Sequence, residues 1–278
     1  MLDDPAVQTP PPPMQRARGH AGVRIGPQGR LTALHQSGAA KAMLPQMHGR
    51  SPEVVFLNTA GGVTGGDRFT YDLDIDMGVT AVGTTQTAER AYRSVGDATA
   101  RIETQITLGA HSTLHWVPQE TIVFDGASLD RCLTIDMPAT ARLVMLETLI
   151  LGRTAMGETL AHLHLTDRRI VRRDGRPAMI ESIRLTDADF CRKGTAGLHG
   201  AVALATLSYF APDASHRLDP LRQVLPNGSA TPVRAAASAW DGRVVARFTA
   251  TDGFALRCAV AAAIPILTHA PLPRVWQV

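Results

Sequence analysis

The sequence predicts a mostly β protein, built as a β-helix-like solenoid stack of strands with two α-helices in its C-terminal part. Three observations indicate this fold class. Three consecutive segments repeat one strand, turn, strand pattern, their strands alternate apolar and polar side chains, and two later segments have helical apolar spacing. Units repeated at a fixed period bury their apolar faces on their neighbours, which favours a solenoid. A β-sandwich remains the alternative, since it also contains regularly spaced short strands.

The N-terminal 20 residues are predicted to form a disordered, proline-rich tail, because they contain four consecutive prolines and few large apolar side chains. Residues 21–278 are expected to form a single β domain. The N-terminus lacks the basic start and apolar core of a signal peptide. The three cysteines, Cys132, Cys191 and Cys258, form no C-x-x-C motif and fit a reducing compartment. We therefore expect a cytoplasmic protein.

A glycine-rich segment, LNTAGGVTGGDRF at 57–69, follows an apolar strand. Gly61 and Gly66 have the spacing of a phosphate-binding loop, but Asp67 stands where that motif requires lysine. The favoured interpretation is a backbone corner whose glycines allow chains to pack closely, with Asp67 or Asn58 capping the turn. A nucleotide-dependent enzyme that uses the Gly61–Gly66 loop is kept as an alternative.

The next three segments carry the repeat. Their turn residues are Gly78, Gly109 and Pro138, which gives steps of 31 and 29 residues. Glu89 and Glu120 each lie 11 positions after the turn of their unit, and Glu147 lies two positions earlier in the third unit. In a solenoid these glutamates would lie along one edge. Like charges in such an edge need water, arginine or a cation nearby, so the edge is a candidate cation path.

The C-terminal part is predicted to contain further strands and both helices. Asp174-Gly175 and Asp241-Gly242 are turn signals between strand-like runs. Helices are predicted near 213–225 and 252–264, the second beginning at a capping aspartate and stopped by Pro265.

The common catalytic motifs G-x-S-x-G, H-E-x-x-H and the Rossmann fingerprint are absent from the sequence, which favours a protein that is not an enzyme. The pairs His162/His164 and His111/His115 lack an evident third ligand and are interpreted as polar strand positions.

Several motifs, in order, resemble the urease accessory protein UreD family, also called UreH, from about residue 24 to the C-terminus. They are LTALHQSGAAKAMLP, LNTAGGVTGGDRF, TTQTAERAYRS, WVPQETIVFDGA, ETLILGRTAMGE, ATLSYFAPDA, AWDG and LPRVW. The resemblance implies a non-enzymatic scaffold and metallochaperone that acts with UreF and the GTPase UreG on the urease apoprotein. It implies nickel as transported cargo, no stably bound cofactor, and no nucleic-acid or membrane partner.

The resemblance also implies an internal water-filled passage for nickel. The residues carried over by motif as passage or partner-interface candidates are Thr59, Gly61, Gly62, Gly65, Gly66, Asp67, Gln86, Glu89, Arg93, Gln119, Glu120, Asp125, Glu147, Arg153 and Glu158. Transient nickel contacts are expected at Asp67, Glu89 and Glu120, because oxygen ligands exchange nickel faster than a histidine or thiolate cage. A purely structural β-solenoid adaptor is the remaining alternative.

Overall fold

The structure is a computed structural model that describes residues 15–46, 51–153, 156–191, 197–227 and 231–277. The strands of the described part are β1 (Arg18–Gly26), β2 (Arg30–Gly38), β3 (Ala40–Met43), β4 (Glu53–Asn58), β5 (Arg68–Ile75), β6 (Thr80–Thr85), β7 (Glu89–Ala91), β8 (Ala100–Leu108), β9 (Thr113–Trp116), β10 (Thr121–Val123), β11 (Ala127–Met137), β12 (Arg142–Leu151), β13 (Leu163–Arg173), β14 (Arg176–Thr186), β15 (Ala203–Phe210), β16 (Val233–Trp240) and β17 (Arg243–Ala250). The helices are α1 (Asp187–Cys191), α2 (Leu218–Val224) and α3 (Gly253–Thr268).

Successive coils of the chain alternate between two sheets. Each coil places one strand in a seven-stranded sheet, ordered β14-β13-β11-β8-β5-β1-β2, and the next strand in a ten-stranded sheet, whose main path is β16-β17-β15-β12-β9-β6-β4-β3. Equivalent strands pair in parallel: β5 with β8, β8 with β11, β6 with β9, and β9 with β12. Short β7 pairs with short β10, which joins the ten-stranded sheet beside β12, off its main path. Equivalent positions therefore stack directly, and the predicted solenoid is confirmed.

The register differs from the predicted repeat in its first step. Thr80 pairs with Thr113, a step of 33 residues, whereas Thr113 pairs with Arg142, a step of 29. The structural equivalent of Gly78 is thus His111, and alignment of Gly78 with Gly109 was wrong. Both Gly78 and His111 have positive φ, 71° and 59°. A histidine occupies the left-handed position that the sequence pattern assigned to glycine.

The main core lies between the two sheets and follows the alternation of the strands. In β5 the buried side chains are Phe69, Tyr71, Leu73 and Ile75, at every second position, and they share one apolar cluster with Leu114 and Leu143 of the opposite sheet. A second cluster covers the outer face of the ten-stranded sheet, where α3 packs on β15 and β17 and α2 packs on β16 and α3. The ten-stranded sheet is therefore buried on both faces near β12 and β15.

Antiparallel strands end the parallel stack at its edges. The β13–β14 hairpin turns at Asp174-Gly175 and the β16–β17 hairpin at Asp241-Gly242, and all four turn residues have positive φ. Both predicted turns are confirmed, as type I′-like connections that match strand twist.

The C-terminal helices occur where they were predicted, with one difference. The first is a 3-10 turn at Ala214–Arg217 followed by α2. The second begins at the Asp252 cap, whose side chain accepts a 2.7 Å hydrogen bond from the Ala255 amide. The predicted stop at Pro265 is wrong, because α3 continues to Thr268. A proline near the last turn removes a single backbone donor, and the buried Leu267 keeps that turn packed.

The N-terminal boundary of the domain also differs from expectation. Strand β1 begins at Arg18, inside the predicted tail, where its backbone pairs with both β2 and β5. The remainder of the predicted tail, up to residue 14, lies outside the described residues. Among the described residues, no helix combines the length and the apolar character needed to cross a membrane.

Candidate functional site

The glycine-rich loop between β4 and β5 packs against the following coil. Val63 forms a bridge with Ala91. A Cβ atom at Gly62 would lie 2.3 Å from the Tyr92 ring, and one at Gly65 would lie 2.1 Å from the Ala98 carbonyl oxygen. These two glycines are required for close packing of neighbouring coils. The corner interpretation is confirmed, and the close packing disfavours an open phosphate cradle.

Two polar side chains hold this loop, as predicted. The buried Asp67 carboxylate accepts 2.8 Å hydrogen bonds from the amides of Ala17 and Thr64. The Asn58 carbonyl oxygen accepts a 2.9 Å bond from the Ala60 amide. Both carboxylate oxygens of Asp67 are therefore engaged by backbone, and its side chain lies outside the cavity described next.

A cavity of about 100 Å³ lies inside the solenoid, beside this loop. Its wall comes from strands of both sheets, including the short strands β7 and β10. We call it the central cavity, and its lining residues are Phe56, Asn58, Gly61, Tyr71, Thr85, Gln86, Thr87, Ala88, Glu89, Arg90, Ile102, Thr104, Trp116, Pro118, Gln119, Thr121, Arg131, Cys132, Leu133 and Glu147. This volume has room for several water molecules, since one needs about 10–15 Å³ by this measure.

Glu147 is the carboxylate on the β12 side of the central cavity and is fully partnered. Its Oε1 accepts a 3.0 Å bond from the indole N–H of Trp116, and its Oε2 accepts a bond from the Arg131 guanidinium. Arg131 also donates to the Thr121 hydroxyl, and its Nε lies 3.4 Å from Asp167 Oδ1. Burial alone would lower the pKa of Arg131, but Asp167 and Glu147 raise it above its ordinary value.

A chain of ion pairs continues from Asp167 away from the cavity. Arg169 donates to Asp167 at 2.6 Å and to Glu181 at 3.0 Å, and Arg247 meets Glu181 at 2.9 Å. Burial alone would raise the pKa of Asp167, but the guanidinium groups of Arg131 and Arg169 lower it. The network of charges thus runs from the cavity through β11, β13 and β14 of the seven-stranded sheet and ends at the exposed Arg247 of β17.

Glu89 is the carboxylate of the central cavity that forms no ion pair with the described residues. Its oxygens accept bonds from the Asn58 side-chain amide at 3.3 and 3.2 Å and from the Arg90 backbone amide at 3.0 Å. Burial raises the pKa of Glu89, although the Asn58 hydrogen bonds oppose the shift. Burial, followed by the charge of Glu89, also raises the pKa of Tyr71 across the cavity. Negative charge on Glu89 is therefore incompletely compensated, and a cation beside it would stabilise the ionised form.

Glu120 does not join Glu89 and Glu147, contrary to the predicted edge. Thr121, rather than Glu120, pairs with Glu89 in the parallel ladder. Because side chains alternate along a strand, a shift by one residue places Glu120 on the opposite face. There Arg257 of α3 donates to Glu120 at 3.0 Å and to the Gln119 side chain at 2.6 Å. The three glutamates are thus divided between two faces of the ten-stranded sheet.

Four of the candidates, Arg93, Asp125, Arg153 and Glu158, hold loops together. Asp125 Oδ1 accepts 2.8 Å bonds from the amides of Ala161 and His162, and Arg93 donates to Asp125 Oδ2. Those two backbone bonds, in the order His162 then Ala161, lower the pKa of Asp125. Arg153 pairs with Glu158 at 3.0 Å and lowers its pKa. These four side chains lie outside the central cavity.

The structure therefore divides the fifteen candidates of the sequence analysis into separate groups. The candidates that line the central cavity are Gly61, Gln86, Glu89, Gln119 and Glu147. The others belong to the glycine loop (Thr59, Gly62, Gly65, Gly66, Asp67), the loop ion pairs (Arg93, Asp125, Arg153, Glu158) and the outer face (Glu120). Their part in a passage or an interface stays a prediction.

Sequence reasoning missed Arg131, Asp167 and Arg169, although a signal was present. Inward positions of β11 are apolar except Arg131, and those of β13 are apolar except Asp167, Arg169 and the terminal Arg173. A charged residue at an inward position of an alternating strand must be paired, because unpaired burial of charge is costly. Charged residues that interrupt the apolar inward positions of β11 and β13 were therefore the signal for this buried ion-pair network.

Within the described ranges, no three histidine, cysteine, aspartate or glutamate side chains are arranged to hold a metal ion together. The acidic groups of the cavity instead face arginine, amide and indole donors. Any cation that enters this cavity meets oxygen ligands from carboxylate, amide and hydroxyl groups.

Comparison with known proteins identifies the family. The family model described as UreD urease accessory protein matches residues 16–277. A protein named urease accessory protein UreD from Jannaschia sp. (strain CCS1) is 57% identical over 267 residues, 96% of this chain and 98% of that relative. Proteins of the same name from Paracoccus denitrificans (strain Pd 1222) and Rhizobium leguminosarum bv. viciae are 48% and 40% identical, covering 95% and 96% of this chain and 94% and 96% of theirs. The chain belongs to the UreD family of urease accessory proteins.

Proposed function

We propose that this chain is a scaffold and metallochaperone that takes part in inserting nickel into the urease apoprotein, without being an enzyme itself. It would act in the cytoplasm in a complex with UreF and the GTPase UreG, which the family resemblance implies as partners. Nickel would be cargo rather than a resident cofactor. The observation that carries the proposal is Glu89, an incompletely compensated carboxylate in a partly open cavity of mixed polar and apolar lining within the solenoid.

The charges around the central cavity suit weak and reversible cation binding. The central cavity is lined by two carboxylates, Glu89 and Glu147, and by two guanidinium groups, Arg90 and Arg131. Arg131 pairs with Glu147, whereas Glu89 forms no ion pair with the described residues and is the carboxylate that can attract a cation. A cavity with no net formal charge, and with one thiol, that of Cys132, among mostly oxygen donors, binds nickel more loosely than a histidine or thiolate cage, so an ion that enters can also leave.

Complementation in cells tests this function. Cells that express urease with its other accessory proteins, but lack this chain, should accumulate urease with little nickel, and expression of the chain should restore it. The chain should also co-purify with a UreF-like protein and apo-urease. Full nickel occupancy of urease without the chain would contradict the proposal.

The same system distinguishes the alternatives. A purely structural adaptor would keep both partner binding and nickel delivery when Glu89 is neutralised. A nucleotide-dependent enzyme would bind ATP or GTP as an isolated chain, which calorimetry measures directly. The proposed function instead predicts retained partner binding, reduced nickel delivery for Glu89→Gln, and no nucleotide binding by the chain alone.

A further inference from the structure

Arg131 fills a position that would otherwise suit a metal cation. Its side chain is 13% exposed and contacts oxygens from three strands: the Thr121 hydroxyl of β10, the Glu147 carboxylate of β12 and the Asp167 carboxylate of β13. Each of these oxygens comes from a different coil segment, and all converge on the guanidinium. Arginine therefore binds there as an internal cation.

Arg131 is the charged partner that Glu147 would lose on its removal, whereas Asp167 would keep Arg169. The side chains of Glu147 and Asp167 are 5% and 0% exposed, and Glu89 adds a third negative charge at the same cavity. Removal of the guanidinium leaves Glu147 with the Trp116 indole and Asp167 with Arg169. Buried like charges then either bind protons or recruit another cation.

We propose that Arg131 occupies a latent divalent-cation site made of Glu147, Asp167 and Thr121 oxygens, and that its presence prevents nickel from being held inside the solenoid. This inference rests on the proposed function, because it explains how a nickel path lined by carboxylates avoids becoming a store. The ligand class is a divalent cation that accepts oxygen donors, and nickel is the probe.

Arg169 provides a matched control for Arg131. It is equally inward-facing, is 1% exposed and pairs with Asp167 and Glu181, but it does not line the central cavity. Without Arg169, Asp167 keeps Arg131 and Glu181 keeps Arg247. Loss of Arg169 therefore removes one buried cation but leaves each carboxylate with a charged partner.

The test is equilibrium dialysis of the full-length chain against nickel chloride at pH 7.5, with the Arg131→Met, Arg169→Met and wild-type proteins. Arg131→Met is expected to retain one additional nickel equivalent, at least tenfold more tightly than wild type, and its Tm should rise with nickel concentration. Arg169→Met should retain no more nickel than wild type. Equal retention by Arg131→Met and wild type, or an equal gain in Arg169→Met, would overturn the inference.

Arg131→Lys keeps the test decisive if Arg131→Met does not fold. Lysine retains the charge, but a buried ammonium can lose its proton, whereas arginine cannot. Nickel can therefore displace the proton of the lysine, and retention should exceed wild type by about fivefold or more, increasing from pH 7 to pH 9. The inference would be overturned if Arg131→Lys retained no more nickel than wild type at every pH from 7 to 9. Because these measurements use the isolated chain, failure of nickel delivery to urease by the wild-type protein would count against the proposed function alone.

Discussion

At the scale of single residues, Asp67 has the structural task that its position in the glycine-rich turn predicts. Its two carboxylate oxygens accept the amides of Ala17 and Thr64, which joins the start of β1 to the glycine loop. Its side chain contributes no oxygen to the central cavity. The effect of changing Asp67 should therefore be seen in stability rather than in cation affinity.

We predict that Asp67→Ala lowers the free energy of unfolding by about 2–4 kcal/mol, because two charge-assisted hydrogen bonds to buried amides are lost. Urea unfolding of the purified chain measures this change. Asp74→Ala, at an exposed position of β5, the strand that follows Asp67, should change stability by less than about 0.5 kcal/mol. Equal stability of the two variants would contradict the assignment of Asp67.

His115 gives a pH-dependent prediction at the residue scale. Its side chain is 8% exposed, and burial, followed by the nearby His269, lowers its pKa to about 4. The unfolded chain binds this proton near the ordinary histidine pKa of about 6.5. Stability contributed by neutral His115 is therefore complete above pH 6.5 and is lost as pH falls toward 4.

From pH 7 to pH 5, wild type should lose about 2 kcal/mol through His115, at about 1.4 kcal/mol per pKa unit. His115→Leu should lose less over the same interval. Raised pKa values of Glu53 and Glu89 act in the opposite direction, but they are common to both proteins and cancel in the comparison. Identical pH slopes of urea unfolding would show that His115 does not titrate as described.

At the scale of elements, the glycine loop is a packing device between coils. Gly65 approaches the Ala98 carbonyl so closely that a methyl group has no space, whereas no atom lies within 4 Å of a Cβ atom built at Gly61. Gly61 instead needs its positive φ of 80°. The two glycines are thus required for different reasons.

Substitutions at these glycines should differ accordingly. Gly65→Ala is expected to destabilise the fold by about 3 kcal/mol, since overpacking forces the coils apart. Gly61→Ala should cost about 1–2 kcal/mol from left-handed backbone strain alone. Denaturant midpoints of the two variants measure the difference, and a larger loss for Gly61→Ala would be inconsistent with this packing.

The strands show which parts of the fold were predictable. Apolar alternation and turn residues predicted the stack, both hairpin turns and both longer helices, because these features are local. The first register step was not predictable from glycine, since His111 adopts the left-handed turn conformation in its place. The wrong face predicted for Glu120 has a separate cause, because the two-residue error at the turn preserves the face, whereas β7 pairs Glu89 with Thr121, one residue beyond Glu120.

At the scale of the whole molecule, the solenoid brings together charges that are distant in sequence. Glu89, Arg131, Glu147 and Asp167 come from β7, β11, β12 and β13. Sequence resemblance identified Glu89 and Glu147 but could not show that Arg131 neutralises part of the site. Which acidic side chain pairs with which basic side chain depends on the strand positions that face inward together, and the sequence does not show these positions.

Under the proposed function, nickel would reach urease through the central cavity. The most direct test counts nickel in urease recovered from cells that carry wild type, Glu89→Gln or Glu120→Gln, with equal amounts of folded chain. Glu120, on the outer face beside Arg257, is the matched control. We predict at least a fivefold loss of nickel for Glu89→Gln and wild-type nickel for Glu120→Gln. Wild-type nickel content in urease from cells with Glu89→Gln, or a larger loss of nickel with Glu120→Gln than with Glu89→Gln, would contradict a nickel route through the central cavity.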